Sequence, residues 1–168
     1  VISLLSGSSN QNGVLQKQGI NSYFKLNSTQ VYVSQAHTLE IKPGVRIHSH
    51  ASTDAIVVSG TLIAKGTQAD SIKFVGFAVP NSGSTHGGTI RFEDGSTNSV
   101  VEYVDMNRWG DTEYNGGTPF YINTSSVNIS KSTIRNSENF GMVTSNRAIS
   151  PTITNNSTRS ARAVSQQP

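Results

Sequence analysis

The chain has 168 residues, a formal net charge of +3 and no cysteine. Only 34% of the residues are hydrophobic and 14% are charged, and small polar residues dominate the remainder. This composition excludes a disulfide framework and a thiolate zinc site, and it disfavours a helical bundle because Ala, Leu, Glu and Lys are scarce. The chain contains no run of 18 apolar residues, so we expect no transmembrane helix, and its scattered Lys and Arg residues predict no nucleic-acid partner.

The hydrophobic pattern divides the chain into three parts. Residues 1–22 are polar with isolated apolar positions, and we interpret them as a lead-in or an N-terminal cap segment. Residues 23–157 contain short stretches in which apolar and polar residues alternate, as in Ile72-Lys73-Phe74. Such alternation predicts short strands with one buried face, and no stretch shows the period of a helix. Residues 158–168 are expected to form a polar tail or linker.

The spacing of these stretches predicts a repeat. The step from Ile41 to Val58 is close to the step of roughly 20 residues that is typical of a solenoid. In such a fold each coil buries its apolar face against its neighbours. The step from Ile90 to Phe120 is clearly longer, and it predicts a loop insertion at 105–118.

Two asparagines suggest how successive coils are joined. Asn136 and Asn155 stand one such step apart, and each comes two residues after an isoleucine of a predicted strand. Equivalent Asn side chains in successive coils can stack as a ladder in which each amide donates to the next. We therefore predict a structural ladder of Asn136 and Asn155, and the alternative is two unrelated asparagines in turns.

Several stretches resemble the coils of right-handed parallel β-helix proteins with the pectin-lyase-like fold, among them residues 38–45, 56–67 and 129–137. The resemblance covers residues 23–157 and implies an all-β fold, a single-stranded right-handed parallel β-helix of about six coils. Proteins of this fold include polysaccharide lyases and hydrolases, adhesins, phage tailspikes and surface proteins without known chemistry, so the fold does not decide the function. The chain lacks the Asn-x-Asp, Asp-Asp, Gly-His-Gly and Arg-x-Lys motifs of polygalacturonase-like enzymes.

The predicted insertion contains the residues best suited to contact a ligand. Aromatic rings stack on sugar rings, and neighbouring charged groups bond sugar hydroxyls, so the candidate carbohydrate contacts are Arg108, Trp109, Asp111, Glu113 and Tyr114. The alternative is that Trp109 packs back over an exposed coil edge.

A calcium site in the same insertion is a second possibility. Asp105, Asp111 and Glu113 could supply the oxygen ligands that Ca²⁺ requires, although no known calcium-binding motif is present. Apart from this calcium ion, we expect no cofactor.

Two histidines form a possible metal site. The side chains of His48 and His50 would share one face of an extended strand, a geometry that can bind a metal with a third ligand from His37 or His86. The alternative is a pair of solvated histidines in a turn.

Four charged residues are candidates for catalysis. Strand alternation places Arg91, Glu93, Glu102 and Arg135 on outward positions, where they could form a groove with a general acid and a general base. The alternative is cross-strand charge pairing with no chemical role.

These observations favour a non-catalytic module of a larger exported or cell-surface protein, with a structural, adhesive or glycan-binding role. The alternative function is a polysaccharide lyase or glycoside hydrolase acting on an acidic polysaccharide. The absence of cysteine in a chain rich in Ser, Thr and Asn suggests a bacterial exported protein, located outside the cell or at its surface. We also expect further coils or domains to flank this segment in a longer chain.

Overall fold

The computed structural model describes residues 1–4, 7–9, 11–78, 85–110, 118–137, 141–145, 149–159 and 165–166. Within these ranges all regular secondary structure is β-strand. The strands are short because each side of a solenoid coil is only a few residues long, and a corner follows each strand.

Three strands form each coil. The first three coils consist of β1 Ile2–Ser3, β2 Gly7–Ser9 and β3 Gly13–Leu15, then β4 Phe24–Leu26, β5 Gln30–Val33 and β6 Thr38–Ile41, then β7 Arg46–Ser49, β8 Ala55–Val58 and β9 Thr61–Lys65. In the fourth coil, β11 Phe77–Ala78 and β12 Thr85–His86 lie between β10 Ile72–Val75 and the strands β13 Thr89–Phe92 and β14 Ser99–Glu102. The remaining strands are β15 Val104–Asn107, β16 Phe120–Ile122, β17 Val127–Ser130, β18 Thr133–Arg135, β19 Met142–Thr144, β20 Thr152–Thr154, β21 Ser157–Arg159 and β22 Ser165–Gln166.

Equivalent strands of successive coils pair in parallel and form three sheets. Sheet I has the order β1-β4-β7-β10-β15-β18-β21, sheet II has the order β2-β5-β8-β13-β16-β19-β22, and sheet III has the order β3-β6-β9-β14-β17-β20. The described residues therefore form six complete coils and two strands of a seventh. This architecture confirms the predicted all-β parallel solenoid.

The coils are longer and less uniform than the sequence spacing predicts. Sheet I pairs Ile2 of the first coil with Phe24 of the second, and Phe74 of the fourth coil with Met106 of the fifth, which is a much longer step along the chain. The predicted step was too short because it compared strands of different sheets, since Ile41 lies in sheet III and residue 58 in sheet II. The long step from Ile90 to Phe120, from which the insertion is predicted, joins two residues that pair directly in sheet II.

The solenoid extends beyond the predicted range at both ends. Strands β1 to β3 pair with the second coil, and β21 and β22 pair with the sixth. The predicted insertion begins later than expected, because Asp105 to Asn107 belong to strand β15. The antiparallel pair β11–β12 is a second departure from the regular coil, which the sequence pattern did not reveal.

The core consists of rows of inward side chains that stack from coil to coil. In sheet I, one row contains Phe24, Ile47, Phe74, Met106 and Ile134, each at most 7% exposed. Each side chain contacts the equivalent residue of the next coil, so a few apolar residues per coil suffice to fill the interior. The low hydrophobic content of the chain follows from this narrow core.

Polar side chains at the corners bind the backbone of a neighbouring coil. The Ser99 hydroxyl oxygen accepts a hydrogen bond from the Leu62 N–H at 3.0 Å, and the Ser132 hydroxyl oxygen accepts one from the Val104 N–H at 3.2 Å. The amide oxygen of Asn156 accepts in turn from the Ser132 N–H at 2.9 Å. These bonds satisfy backbone donors at or near the start of a strand, where the chain enters a sheet.

The predicted ladder of Asn136 and Asn155 is wrong. Asn136 follows β18 of sheet I, whereas Asn155 follows β20 of sheet III, so the two residues occupy different corners. Both are exposed and have a left-handed backbone, with φ of 56° and 53°. Asn136 instead donates a hydrogen bond to the side-chain oxygen of Asn107 at 2.8 Å. At the corner after β20, it is Asn156 that bonds the neighbouring coil, by accepting from the Ser132 N–H.

Asp54 forms the densest polar contact between two coils. Its buried carboxylate accepts hydrogen bonds from four donors: the backbone N–H of Thr29 at 2.7 Å, the hydroxyl of Ser49 at 2.8 Å, and the backbone N–H of His50 and Ala51 at 3.0 and 3.1 Å. Thr29 lies in the second coil and the other donors lie in the third. Asp54 therefore holds the corner between sheets I and II in place across two coils.

We predict that Asp54→Ala lowers the free energy of unfolding by about 3 kcal/mol, because buried donors that lose a charged acceptor are costly. Urea denaturation followed by circular dichroism measures the change. The matched control is Asp94→Ala, since Asp94 is exposed in the turn after β13. An equal loss of stability in both variants would contradict a special role for Asp54.

Candidate functional site

A cleft of about 350 Å³ lies on the outer surface at the corner between sheets III and I. We call it the corner cleft, and its lining includes Thr67, Tyr103, Asp105, Lys131, Thr133 and Arg135. These residues come from three successive corners and from the outward positions of β15 and β18. A second cleft of about 320 Å³, on sheet III, is lined by Asn, Ser, Thr and Val residues and has no ionisable side chain.

The corner itself has an unusual backbone. Tyr103, which alone separates β14 from β15, has a left-handed φ of 48°. Lys131 and Asn155 occupy the equivalent positions of the next two coils, with φ of 51° and 53°. This conformation is uncommon for bulky residues and costs free energy, so Tyr103 and Lys131 are held there by the surrounding structure. Five other non-glycine residues of the described chain have the same left-handed backbone, so this conformation is a general feature of the coil corners.

Two ion pairs border the corner cleft. Arg135 donates from Nε and Nη2 to the two carboxylate oxygens of Asp105, at 2.9 and 2.6 Å. Lys131 donates from Nζ to Oε1 of Glu102 at 2.8 Å and lies 5.0 Å from the centre of the Tyr103 ring. The bidentate Arg–carboxylate geometry fixes the orientation of the first pair, and the aromatic ring adds a cation–π contact to the second.

These contacts favour the charged form of both cations. The hydrogen bond to Asp105 raises the pKa of Arg135 above its ordinary value, and the hydrogen bond to Glu102 raises the pKa of Lys131. Each carboxylate thus accepts hydrogen bonds from a side chain that stays protonated and positively charged. The cleft therefore combines fixed donors, fixed acceptors and an aromatic ring without a large net charge.

The four catalytic candidates are divided between two parts of the surface. Glu102 and Arg135 lie at or near the corner cleft, but Arg91 and Glu93 lie on sheet II. Arg91 pairs with Glu93 at 2.8 Å, and its guanidinium lies 5.9 Å from the centre of the Tyr121 ring. All four side chains are partly exposed, and strand alternation could not show which sheet each one was nearest to.

Trp109 lies in the core, which corrects its predicted role as a carbohydrate contact. Its side chain has no exposed surface and packs edge to face against Phe74, with ring centres 5.0 Å apart. Gly88 makes room for the indole, because a Cβ there would lie 2.9 Å from its Cζ2 atom. Arg108 is exposed, and the other candidates Asp111, Glu113 and Tyr114 lie outside the described residues.

The structure describes only some of the predicted metal ligands, because Asp111 and Glu113 lie outside the described residues. In the described part of the chain, no group of three or more His, Cys, Asp or Glu residues is placed to hold an ion. His48 stacks on Tyr23 with ring centres 4.2 Å apart, and His50 stacks on Phe77 at 5.9 Å. The calcium candidate Asp105 is bonded to Arg135, and the imidazole of His86 is outside the described side chains.

Comparisons of the chain with protein-family models, with curated proteins and with solved structures found no match. The parallel solenoid is therefore established by the strand pairing of the chain itself. Across the described ranges, no helix has the length and hydrophobicity needed to span a membrane.

We predict that Trp109→Ala lowers the free energy of unfolding by about 3 to 5 kcal/mol, because it leaves a large cavity beside Phe74. Urea denaturation measures this loss. Unchanged stability would contradict the buried position of the indole.

We predict a pH-dependent contribution of His48 to stability. Burial lowers the pKa of His48 below its ordinary value of 6.5, and the nearby charges of His50 and Arg46 lower it further. The unfolded chain then binds a proton more readily than the folded chain, so this contribution is complete above pH 6.5 and decreases as the pH falls below it. Between about pH 7 and about pH 5, thermal unfolding should show a steeper loss of stability for the wild type than for His48→Gln. Parallel curves would contradict the prediction.

Proposed function

We propose that the chain is a non-catalytic module of an exported or cell-surface protein and that its corner cleft binds a carbohydrate. The proposal includes a relationship to the right-handed parallel β-helices of the pectin-lyase-like fold, supported by three all-parallel sheets with regular stacking. The observation that carries the binding role is the set of paired charges around Tyr103 at the cleft.

The chemistry of the cleft suits a ligand that is rich in hydroxyl groups. Such a ligand needs donors and acceptors in fixed positions and a small apolar surface. The ammonium of Lys131 and the guanidinium of Arg135 supply donors, and the carboxylate of Asp105 supplies acceptor capacity. Tyr103 and Val104 contribute the apolar surface. Because the charged groups already hold each other, little ordering is needed when a ligand binds.

The same ion pairs favour binding over proton transfer. A general acid must carry a proton, and a general base must be free to receive one from the substrate. Both Glu102 and Asp105 instead accept hydrogen bonds from cations. The absence of the polygalacturonase-like motifs from the sequence supports the same conclusion.

The test is a glycan array followed by affinity measurements on the best neutral or acidic oligosaccharide. We expect Tyr103→Asn and Arg135→Gln each to weaken binding by about tenfold or more, as for central residues of an interface. Asn suits the left-handed backbone of position 103, so the first variant removes the ring without adding backbone strain.

The matched control is Arg91→Gln, which breaks a comparable arginine–carboxylate pair beside a tyrosine on sheet II. Its affinity for the oligosaccharide should equal that of the wild type. The proposal fails if no oligosaccharide binds, or if Arg91→Gln weakens binding as much as Arg135→Gln.

A further inference from the structure

The outer face of sheet I carries an excess of positive charge. Lys25, Arg46 and Lys73 point outward from the adjacent strands β4, β7 and β10, and we call this surface the cationic face. None of the three forms an ion pair within the described residues, in contrast to Arg135 on the same sheet. Arg46 and Lys73 lie directly opposite each other, and like charges in that position destabilise a sheet, so a bound anion would stabilise this face.

Strand register fixes how these groups are arranged. Arg46 lies opposite Lys73 in one row, and Lys25 lies opposite His48 in the next row, so the three cations span two neighbouring rows across the second to fourth coils. Asp105, which lies opposite Lys73 on the next strand, is already bonded to an arginine. Neighbouring strands are about 4.8 Å apart, and alternate residues of one strand are about 6.6 Å apart. The result is a triangular patch of three cations on one side of a sheet.

The cationic face is separate from the two clefts of the outer surface. Neither of the two clefts described above is lined by Lys25, Arg46, His48 or Lys73. A single polymer chain is usually held in a concave site, whereas a flat array of cations matches a flat array of anions. The geometry therefore favours an extended surface as the partner.

An exposed aromatic residue borders this face. Phe77, just after β10, is 44% exposed and stacks on the imidazole of His50. Aromatic side chains at the edge of a basic surface are typical of proteins that lie on a membrane, because the ring enters the boundary between headgroups and acyl chains.

We propose that the cationic face docks on an anionic lipid surface, with Lys25, Arg46 and Lys73 against the headgroup phosphates and Phe77 at the edge of the contact. This role is independent of carbohydrate binding at the corner cleft. It also requires no spanning segment, since the contact is peripheral.

The test measures binding to vesicles rich in phosphatidylglycerol and to vesicles of phosphatidylcholine alone. Each cation near an anionic surface contributes about fivefold to binding, so the triple variant Lys25→Gln, Arg46→Gln and Lys73→Gln should bind anionic vesicles about 100-fold more weakly. The three side chains point away from the core, so circular dichroism should show an intact fold.

The matched control removes the same charge elsewhere, with Lys17→Gln, Lys42→Gln and Lys65→Gln. Lys17 and Lys42 contact Asp70 and Glu40, and all three follow or end strands of sheet III. This variant should keep most of the vesicle binding. Equal loss in both triple variants would show that only net charge matters, and it would overturn the proposal.

Two further measurements separate a lipid surface from a soluble polyanion. Phe77→Ser should weaken binding to anionic vesicles severalfold and leave binding to dextran sulfate unchanged. The proposal is overturned if anionic vesicles do not bind, or if dextran sulfate binds the cationic face more tightly than the vesicles do. Tyr103→Asn should bind vesicles like the wild type, so failure of the carbohydrate role and failure of the lipid role are distinguishable.

Discussion

The fold depends on the parallel pairing of each strand with the equivalent strand of the next coil. A single coil cannot bury its inner side chains alone, so every coil provides both a layer of core and a hydrogen-bonding edge for its neighbour. Along each strand, the backbone of the neighbouring coil accepts the hydrogen bonds of the N–H groups. At each corner the backbone turns out of the sheet, so the N–H groups there need other acceptors. There the hydroxyls of Ser99 and Ser132 and the carboxylate of Asp54 accept backbone N–H groups of a neighbouring coil. Corner side chains therefore complete the inter-coil contact that the strands begin.

This division of roles explains the composition of the chain. Inward positions need only one or two apolar residues per strand, as Phe74 and Met106 illustrate in consecutive coils of sheet I. Corners need short side chains with an acceptor oxygen close to the backbone, which Ser, Thr, Asn and Asp provide. A low hydrophobic content and an abundance of small polar residues are thus two consequences of one narrow, repeating cross-section.

The fold class followed from local patterns, but the assignment of strands to sheets did not. Alternation identifies strands and their outward residues, including Glu102 and Arg135 at the site. The sheet to which a strand belongs depends on the length of every corner before it, and these lengths vary along the chain. For this reason the sequence pattern wrongly predicts one ladder for Asn136 and Asn155. The burial of Trp109 depends on its packing against Phe74 and Gly88, which are distant in sequence and carry no recognisable signal of that contact.

Outward side chains are not constrained by core packing, so their charges can differ from one surface to another. The corner cleft and the cationic face differ in whether each cation has a carboxylate partner. At the corner cleft each cation has a carboxylate partner, and the site offers a fixed pattern of donors and acceptors to a polar ligand. On the cationic face Arg46 and Lys73 lie side by side with no carboxylate bonded to either, which leaves a field that an anionic partner can neutralise. The same strand register thus produces matched charges on the later coils and unmatched charges on the earlier ones. Since both surfaces belong to sheet I or its edge, a carbohydrate in the cleft and a lipid surface on the cationic face would share one side of the solenoid.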